Sequence, residues 1–374
     1  MVYRIGIVGA GHWSKRLNKG IKKGTPFSID KTVDVQTYEE KKELLTALDI
    51  SRDNHYTIEE AESISDEFYE DLDIVQIASP VEYHRNQTVE ALEHDVFTIT
   101  EKSYAANRDK FEEVLDYLSD RGKWGSSYLH LHYLKKLLTI QMPDVLSRMR
   151  ERYGGIERAE ATFIEQYSEE DRRRSWLFSP SNGGVFLDWI HPIEVLASSC
   201  GAMFVDLVEG KPYLVSDRYT DEYMTAAYGD FKVEGEYFED DARARIRVGK
   251  GFEQSNRKVL RLVFSESDPH AHVDFLYADS EREFRSDYRG EWRWIEDGEV
   301  VDQKYPEGPI PYKLLIQDLE LAAEGEYDTK PEELVRRMYE PVWMFNDQVD
   351  ISEPVRDEEE IQEFVRDAVD STSV

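Results

Sequence analysis

The sequence predicts an α/β protein in two parts: a mainly parallel, doubly wound sheet with helices on both faces, then an α+β domain with a mostly antiparallel sheet. Three observations predict it. Through the N-terminal third, short apolar runs alternate with helical patterns, which demands crossover connections and parallel pairing. After Ser126 most strand patterns follow one another through turn-rich segments, as antiparallel strands do. The chain has 374 residues, more than one hydrophobic core usually serves.

Ile5-Gly6-Ile7-Val8 is a short apolar strand that runs into Gly9-Ala10-Gly11 and then a helical stretch to Lys23. A second strand is expected at Thr32–Gln36, ending at Gln36-Thr37 with Asp34 in mid-strand. Leu72–Ala78, closed by Ser79-Pro80, and Asp95–Thr100, closed by Glu101-Lys102, are the next strands. Phe111, Val114, Leu115 and Leu118 recur at helical spacing and mark a helix. Beyond Ser126 strands are expected at Ser126–Leu131, Ile156–Ile164, Tyr223–Tyr228, Ala242–Val248, Val259–Phe264 and Ala271–Tyr277. Glu291–Glu296 and Gly298–Gln303 read as a hairpin around Asp297-Gly298. Tyr312–Ala323 is a helix with Gly325 past its end, and Asp357–Asp370 is an acidic helix.

Charge limits the partners. Asp and Glu number 78 against 46 Lys and Arg, a formal net charge of −32. Such a surface repels phosphate backbones and anionic lipid, which excludes nucleic acid and membrane as partners. Only 19 of the 46 basic residues are lysine, and an acidic, lysine-poor surface is expected of a halophilic protein, in which salt screens the self-repulsion. The chain enters a strand pattern by Ile5 without a secretory leader, and Cys200 is its lone cysteine. Both point to a reducing cytoplasm. His130-x-His132 and His270-x-His272 lack accompanying ligands, so no metal is expected.

Gly9-Ala10-Gly11-His12-Trp13-Ser14 is a G-x-G-x-x-S variant of the dinucleotide fingerprint. Gly9 would make the tight turn, and Gly11 would let backbone approach a pyrophosphate at the positive end of the next helix. His12 and Trp13 complete this loop. An acid at the end of the second strand would hold the ribose of NAD. With Asp34 read in mid-strand, Thr37, Lys41 and Lys42 instead tilt the open choice between NAD and NADP toward NADP.

These segments, taken with Ser79-Pro80-Val81-Glu82-Tyr83-His84, Glu101-Lys102-Ser103 and Gly183-Gly184-Val185-Phe186-Leu187-Asp188 followed by His191, occur in an ordered set. It resembles the glucose-fructose oxidoreductase / inositol dehydrogenase / rhizopine catabolism (Gfo/Idh/MocA) family over nearly the whole chain, the Tyr312–Gly325 helix included. The resemblance implies a Rossmann domain, residues 1–126, joined to a substrate-binding and oligomerisation domain, residues 127–374, whose open sheet makes a homodimer or homotetramer. It implies an NAD(P)-dependent oxidoreductase acting on a sugar, sugar derivative or cyclic polyol. Non-catalytic cofactor-binding sensors and redox-neutral NAD-dependent glycosidases share the pattern, but retention of both Lys102 and His191 argues against the sensor.

By the same resemblance Lys102 is the catalytic lysine, polarising the reacting hydroxyl as hydride leaves its carbon. Ser103 stands where the family has the proline of a cis peptide. Asp188 and His191, at i and i+3 on a helix, share a face, with the spacing one residue shorter than the family's. Here His191 is the proton relay, near neutrality by its ordinary pKa, and Asp188 orients it or binds a substrate hydroxyl. Ser79, Pro80, His84 and Glu101 would line the cofactor site, His132 and Tyr133 match substrate contacts, and Arg173 and Trp176 would cover the sugar.

Overall fold

In the computed structural model the apolar runs of the N-terminal third form strands buried on both faces. The structure describes residues 2–21, 25–59, 63–131, 134, 136–166, 185–215, 224–252, 257–265, 272–278, 290–308, 311–327 and 332–370. They fall into two units, Met1–Leu131 with Pro311–Glu332, and His132–Ile310 with Glu333–Val374.

The first unit contains β1 (Tyr3–Val8), α1 (His12–Ile21), β2 (Phe27–Asp34), α2 (Lys42–Ala47), β3 (His55–Thr57), α3 (Asp66–Tyr69), β4 (Ile74–Ile77), α4 (Val81–Glu93), β5 (Phe97–Glu101), α5 (Arg108–Asp120) and β6 (Ser127–His130). The second contains α6 (Leu137–Tyr153), β7 (Ile156–Glu165), α7 (Phe186–Ser199), β8 (Met203–Tyr213), β9 (Ala226–Glu234), β10 (Phe238–Lys250), β11 (Arg257–Phe264), β12 (His272–Ala278), β13 (Glu291–Glu296) and β14 (Glu299–Lys304). Helix α8 (Pro311–Ala323) returns to the first unit, and α9 (Glu332–Gln348) and α10 (Glu358–Asp370) close the chain.

The six-stranded sheet runs β3-β2-β1-β4-β5-β6 with every pairing parallel. Chain order reverses between β1 and β4, and ligands bind beyond the carboxyl ends of strands at such a switch point. Ile5, Ile7, Leu17 and Ile99 fill one face together with Leu315, Ile316 and Leu319 of α8, while Val8, Val33, Phe68, Val75 and Ile77 fill the other. The second strand lies earlier than its sequence pattern indicated, at Phe27–Asp34, because its polar residues have partners. Arg4 Nε donates to Asp30 at 2.6 Å, and Lys31 Nζ donates to the carbonyls of Glu67 and Glu70. Asp34 therefore ends the strand instead of sitting in its middle.

The second unit's sheet runs β14-β13-β12-β11-β7-β10-β9-β8. It is antiparallel except for the central pair β7 and β10. Alternation along β10 sets its faces: Ala244, Ile246 and Val248 are fully buried, whereas Arg243 and Arg245 pair with Asp230 on the opposite side. Trp189 of α7 is buried edge-on to Phe231 and Phe345. It seats against Gly229, where any Cβ would stand 2.4 Å from the indole. Asp297 and Gly298 both have positive φ, 50° and 79°, as the tight β13–β14 hairpin turn requires.

Candidate active site

In the first unit the candidate residues collect at the carboxyl edge of the parallel sheet. Gly9 follows β1 with φ +81°, and a Cβ there would lie 2.5 Å from Ser79 N and 2.6 Å from Ser79 Cα. Only glycine lets the two loops touch, which brings Ser79-Pro80 beside the glycine turn. At Gly11 a Cβ would meet, among the described residues, only the Gly9 carbonyl at 3.9 Å. Helix α1 has no acidic residue in its first turn. Buried Ser14 accepts a 3.1 Å hydrogen bond from Gly11 N, the reciprocal half of a capping box. A side-chain-free backbone at Gly11 beside a helix N-terminus without acids fits a pyrophosphate. The side chains of His12 and Trp13 lie outside the described residues.

Asp34 at the end of β2 is 9% exposed. One oxygen accepts from Gln36 N at 3.0 Å and the other pairs with Lys41, whose ammonium also donates to the Ala10 carbonyl. Lys41 thus ties the glycine loop to the strand-end acid. Thr37 is exposed and donates through its amide and hydroxyl to Glu40, at 2.7 and 2.8 Å.

Lys102 follows β5 directly, half buried, and its peptide to Ser103 is cis. Two buried histidines hold the segment on either side of it. Glu101 Oε1 and His130 Nδ1, on paired ends of β5 and β6, are 2.6 Å apart. His84 of α4 places Nδ1 2.6 Å from the Ser103 carbonyl and Nε2 2.8 Å from the Ser79 carbonyl. A neutral imidazole has one N–H and donates to one carbonyl at a time. Burial pushes the His84 pKa below its ordinary value, opposed by the Ser103 and Ser79 carbonyls and by Glu101. Buried Tyr104, two residues after Lys102, is hydrogen-bonded to Ser127 Oγ at 2.8 Å.

In the second unit Asp188 lies in the first turn of α7, where the helix dipole favours an acid. His191 Nε2 is 4.0 Å from Asp188 Oδ1 and its Nδ1 is 3.9 Å from Glu194 Oε1, so the imidazole stands between two carboxylates. Pro192 lies inside the helix and donates no hydrogen bond to the Asp188 carbonyl. Besides Glu194, three more charged residues that no sequence motif marks complete this cluster. Lys250 Nζ reaches Asp188 Oδ2 at 3.0 Å and Glu165 Oε2 at 3.2 Å, and Lys258 Nζ reaches Glu165 Oε1 at 2.6 Å. Burial alone would raise the Glu165 pKa, yet Lys250 and Lys258 outweigh it and hold the carboxyl well below its ordinary range. The one signal that marks Lys250 and Lys258 is position, since each stands at the end of an apolar strand in a lysine-poor chain.

His132, Tyr133, Arg173 and Trp176 lie outside the described residues, as do Gly183, Gly184 and His270. Among the described residues no group of three or more His, Cys, Asp or Glu is arranged to hold a metal ion. Among them, too, no helix is long and apolar enough to cross a membrane.

No protein-family model matches the chain, and no curated protein matches it in sequence. Solved structures do match. A 3-ketoreductase from Actinomadura kijaniata in complex with NADP is 15% identical over 91% of this chain and 96% of its own, with a TM-score of 0.68. UDP-N-acetylglucosamine 3-dehydrogenase from Acidithiobacillus ferrooxidans is 13% identical over 93% and 98%, TM-score 0.64. Aldose-aldose oxidoreductase from Caulobacter crescentus, complexed with glycerol, is 14% identical over 93% and 99%, TM-score 0.70. A parallel sheet with helices on both faces, followed by a mostly antiparallel one, gives this chain the fold of the Gfo/Idh/MocA-type oxidoreductases.

Proposed function

We propose that this protein is an NAD(P)-dependent oxidoreductase that moves a hydride between a nicotinamide and a hydroxyl-bearing carbon of a sugar, sugar derivative or cyclic polyol. The observation that carries the reading is in the first unit. The Gly9 turn, the acid-free α1 N-terminus and the clamped Lys102 segment share the carboxyl edge of one parallel sheet, at its switch point. The proteins similar in fold add support: two are named as a 3-ketoreductase and a sugar-nucleotide 3-dehydrogenase.

In this reading residues 1–126 serve the cofactor and residues 127–374 the substrate and self-association. The charged outer face of the second sheet, where Arg243 and Arg245 meet Asp230 and Arg261 meets Asp274, would form the contact in a homodimer or homotetramer. The cytoplasm is the proposed location. Gly9, Gly11, Ser79 and Pro80 would cradle the dinucleotide, with Asp34 and Lys41 at its ribose and His84 and Glu101 behind the nicotinamide. When bound, the nicotinamide supplies the hydride acceptor or donor. Lys102 hydrogen-bonds the reacting oxygen and stabilises its developing charge. His191 takes up or returns the hydroxyl proton, and Asp188 orients it.

The test is a screen of sugars, sugar acids and cyclic polyols with both cofactors at high salt, read by nicotinamide absorbance. Turnover with a member of the panel is expected. Sugar release without net change in absorbance would point instead to a redox-neutral glycosidase, and cofactor binding with no turnover to a sensor. The cofactor choice has its own measurement. Because Lys41 already neutralises Asp34, a 2′-phosphate meets no bare carboxylate, and NADPH is expected to bind at least as tightly as NADH in fluorescence titrations. NADH binding at least tenfold tighter would overturn that choice.

A further inference from the structure

Lysine is scarce in this chain, yet two of its lysines lie buried at strand ends in the second sheet. Lys250 ends β10 and Lys258 begins β11, on either side of the β7 end at Glu165, and they are 9% and 8% exposed. Buried ammonium groups persist only where carboxylates compensate them. Glu165 meets that need for Lys258 at 2.6 Å. Lys250 divides its contacts between Glu165 at 3.2 Å and Asp188 at 3.0 Å.

The second contact is the informative one. Asp188 presents Oδ2 to Lys250 and Oδ1 toward His191. Among the described residues the imidazole faces Asp188 and Glu194, both on its own helix. Beyond Asp188 stand Lys250 from β10, and then Glu165 from β7 with Lys258 from β11. Two carboxylates beside one imidazole favour its protonated form strongly. A cation on one of them opposes that. We infer that Lys250 is a positioning residue: it holds the Asp188 carboxylate and weakens the pull that Asp188 exerts on a proton at His191, so that the imidazole releases as well as accepts a proton near neutrality. The inference rests on the relay role proposed for His191, but the charge coupling itself is measurable without turnover.

The experiment is an NMR pH titration of the His191 imidazole in the full chain without added ligand, assigned by comparison with His191→Gln. In Lys250→Met the midpoint is expected to rise by about one pH unit, the size of effect a close carboxylate has once its cation is gone. Lys250→Arg, which keeps the charge, should titrate like wild type. Combining Lys250→Met with Asp188→Asn should abolish the rise. Should Lys250→Met fail to fold, Lys250→Gln, which keeps a donor toward Asp188 but no charge, is expected to show the same rise. An unchanged or lower midpoint in the uncharged variant, or a rise that survives loss of the Asp188 carboxylate, overturns the inference. A dehydrogenase reading that fails does so in the substrate screen and leaves this titration untouched.

Discussion

In the first unit the segment around Lys102 is held by glycine geometry, strand pairing and hydrogen bonds from two buried histidines. In the second unit Asp188 and His191 are held by charge, through Lys250, Glu165 and Lys258. The difference follows from what each half is proposed to bind. A dinucleotide is gripped through its pyrophosphate by backbone amides, which requires close approach and a helix end free of acids. A proton relay requires a tuned imidazole, which low dielectric and nearby charges provide. The backbone-built site should tolerate changes of charge better than changes of shape, and the charge-built site the reverse.

The largest effect expected is on turnover. Lys102→Ala keeps the clamp formed by Glu101, His130 and His84 but removes the ammonium, and should lower kcat by roughly 10²–10⁴. Cofactor affinity should change far less, because the dinucleotide is proposed to rest on the Gly9 and Ser79 loops. Steady-state kinetics and a cofactor titration of the same variant measure both. Turnover within about threefold of wild type would remove Lys102 from the site, since an acid–base group in the reacting position contributes about a hundredfold or more.

Next in size is a stability effect confined to the second unit's cluster. Glu165→Gln leaves Lys250 and Lys258 buried with one carboxylate fewer, a change that costs about 3–5 kcal/mol when a buried pair is broken. The sign with pH is fixed by the depressed pKa of Glu165. A carboxyl held low in the folded state contributes stability above its unfolded pKa and loses it as pH falls through the folded value. Urea unfolding should therefore separate variant from wild type fully at pH 7, and the gap should narrow once the pH drops below the ordinary glutamate range. A gap that is small at pH 7, or that widens in acid, would show that the cluster is not held by charge.

The same contrast explains what the sequence disclosed. Gly9-Ala10-Gly11 and Ser79-Pro80 were legible because each is a contiguous stretch whose glycine or proline constrains the backbone at a strand end, and Glu101-Lys102-Ser103 through its resemblance to a family motif. The charge cluster was not, because Glu165 is 85 residues from Lys250 and 93 from Lys258, and only the register of β7 with β10 and β11 brings them together. Asp34 was misplaced within its strand because Ser28, Asp30 and Lys31 break the apolar pattern of β2, each finding a polar partner on its rim. Pro143 in α6 and Pro341 in α9 sit inside helices, where proline ordinarily signals an end. Edge strand β8 was hidden by register shifts and by exposed Met203, Val205 and Val208.

The smallest effect expected comes from salt, and it separates exposed from buried charge. With a formal charge of −32, the folded surface repels itself over a Debye length of about 30 Å at 0.01 M salt and about 3 Å at 1 M. Exposed pairs such as Arg52–Glu39 and Lys211–Glu360 contribute about 0–1 kcal/mol each and are screened along with the repulsion. Relief of the net repulsion outweighs their loss, so the melting temperature should rise by several degrees between 0.1 and 1 M KCl, at about 2–4 °C per kcal/mol for a domain of this size. Lys250 and Lys258 are buried, and buried pairs are screened much less than exposed ones. Glu165→Gln should therefore gain the same salt increment as wild type while keeping its deficit. A melting temperature that stays flat or falls over this range would overturn the halophilic reading. A deficit that salt repairs would place the Glu165 cluster at the surface, and with it the claim that the second unit's site is built from buried charge would fail.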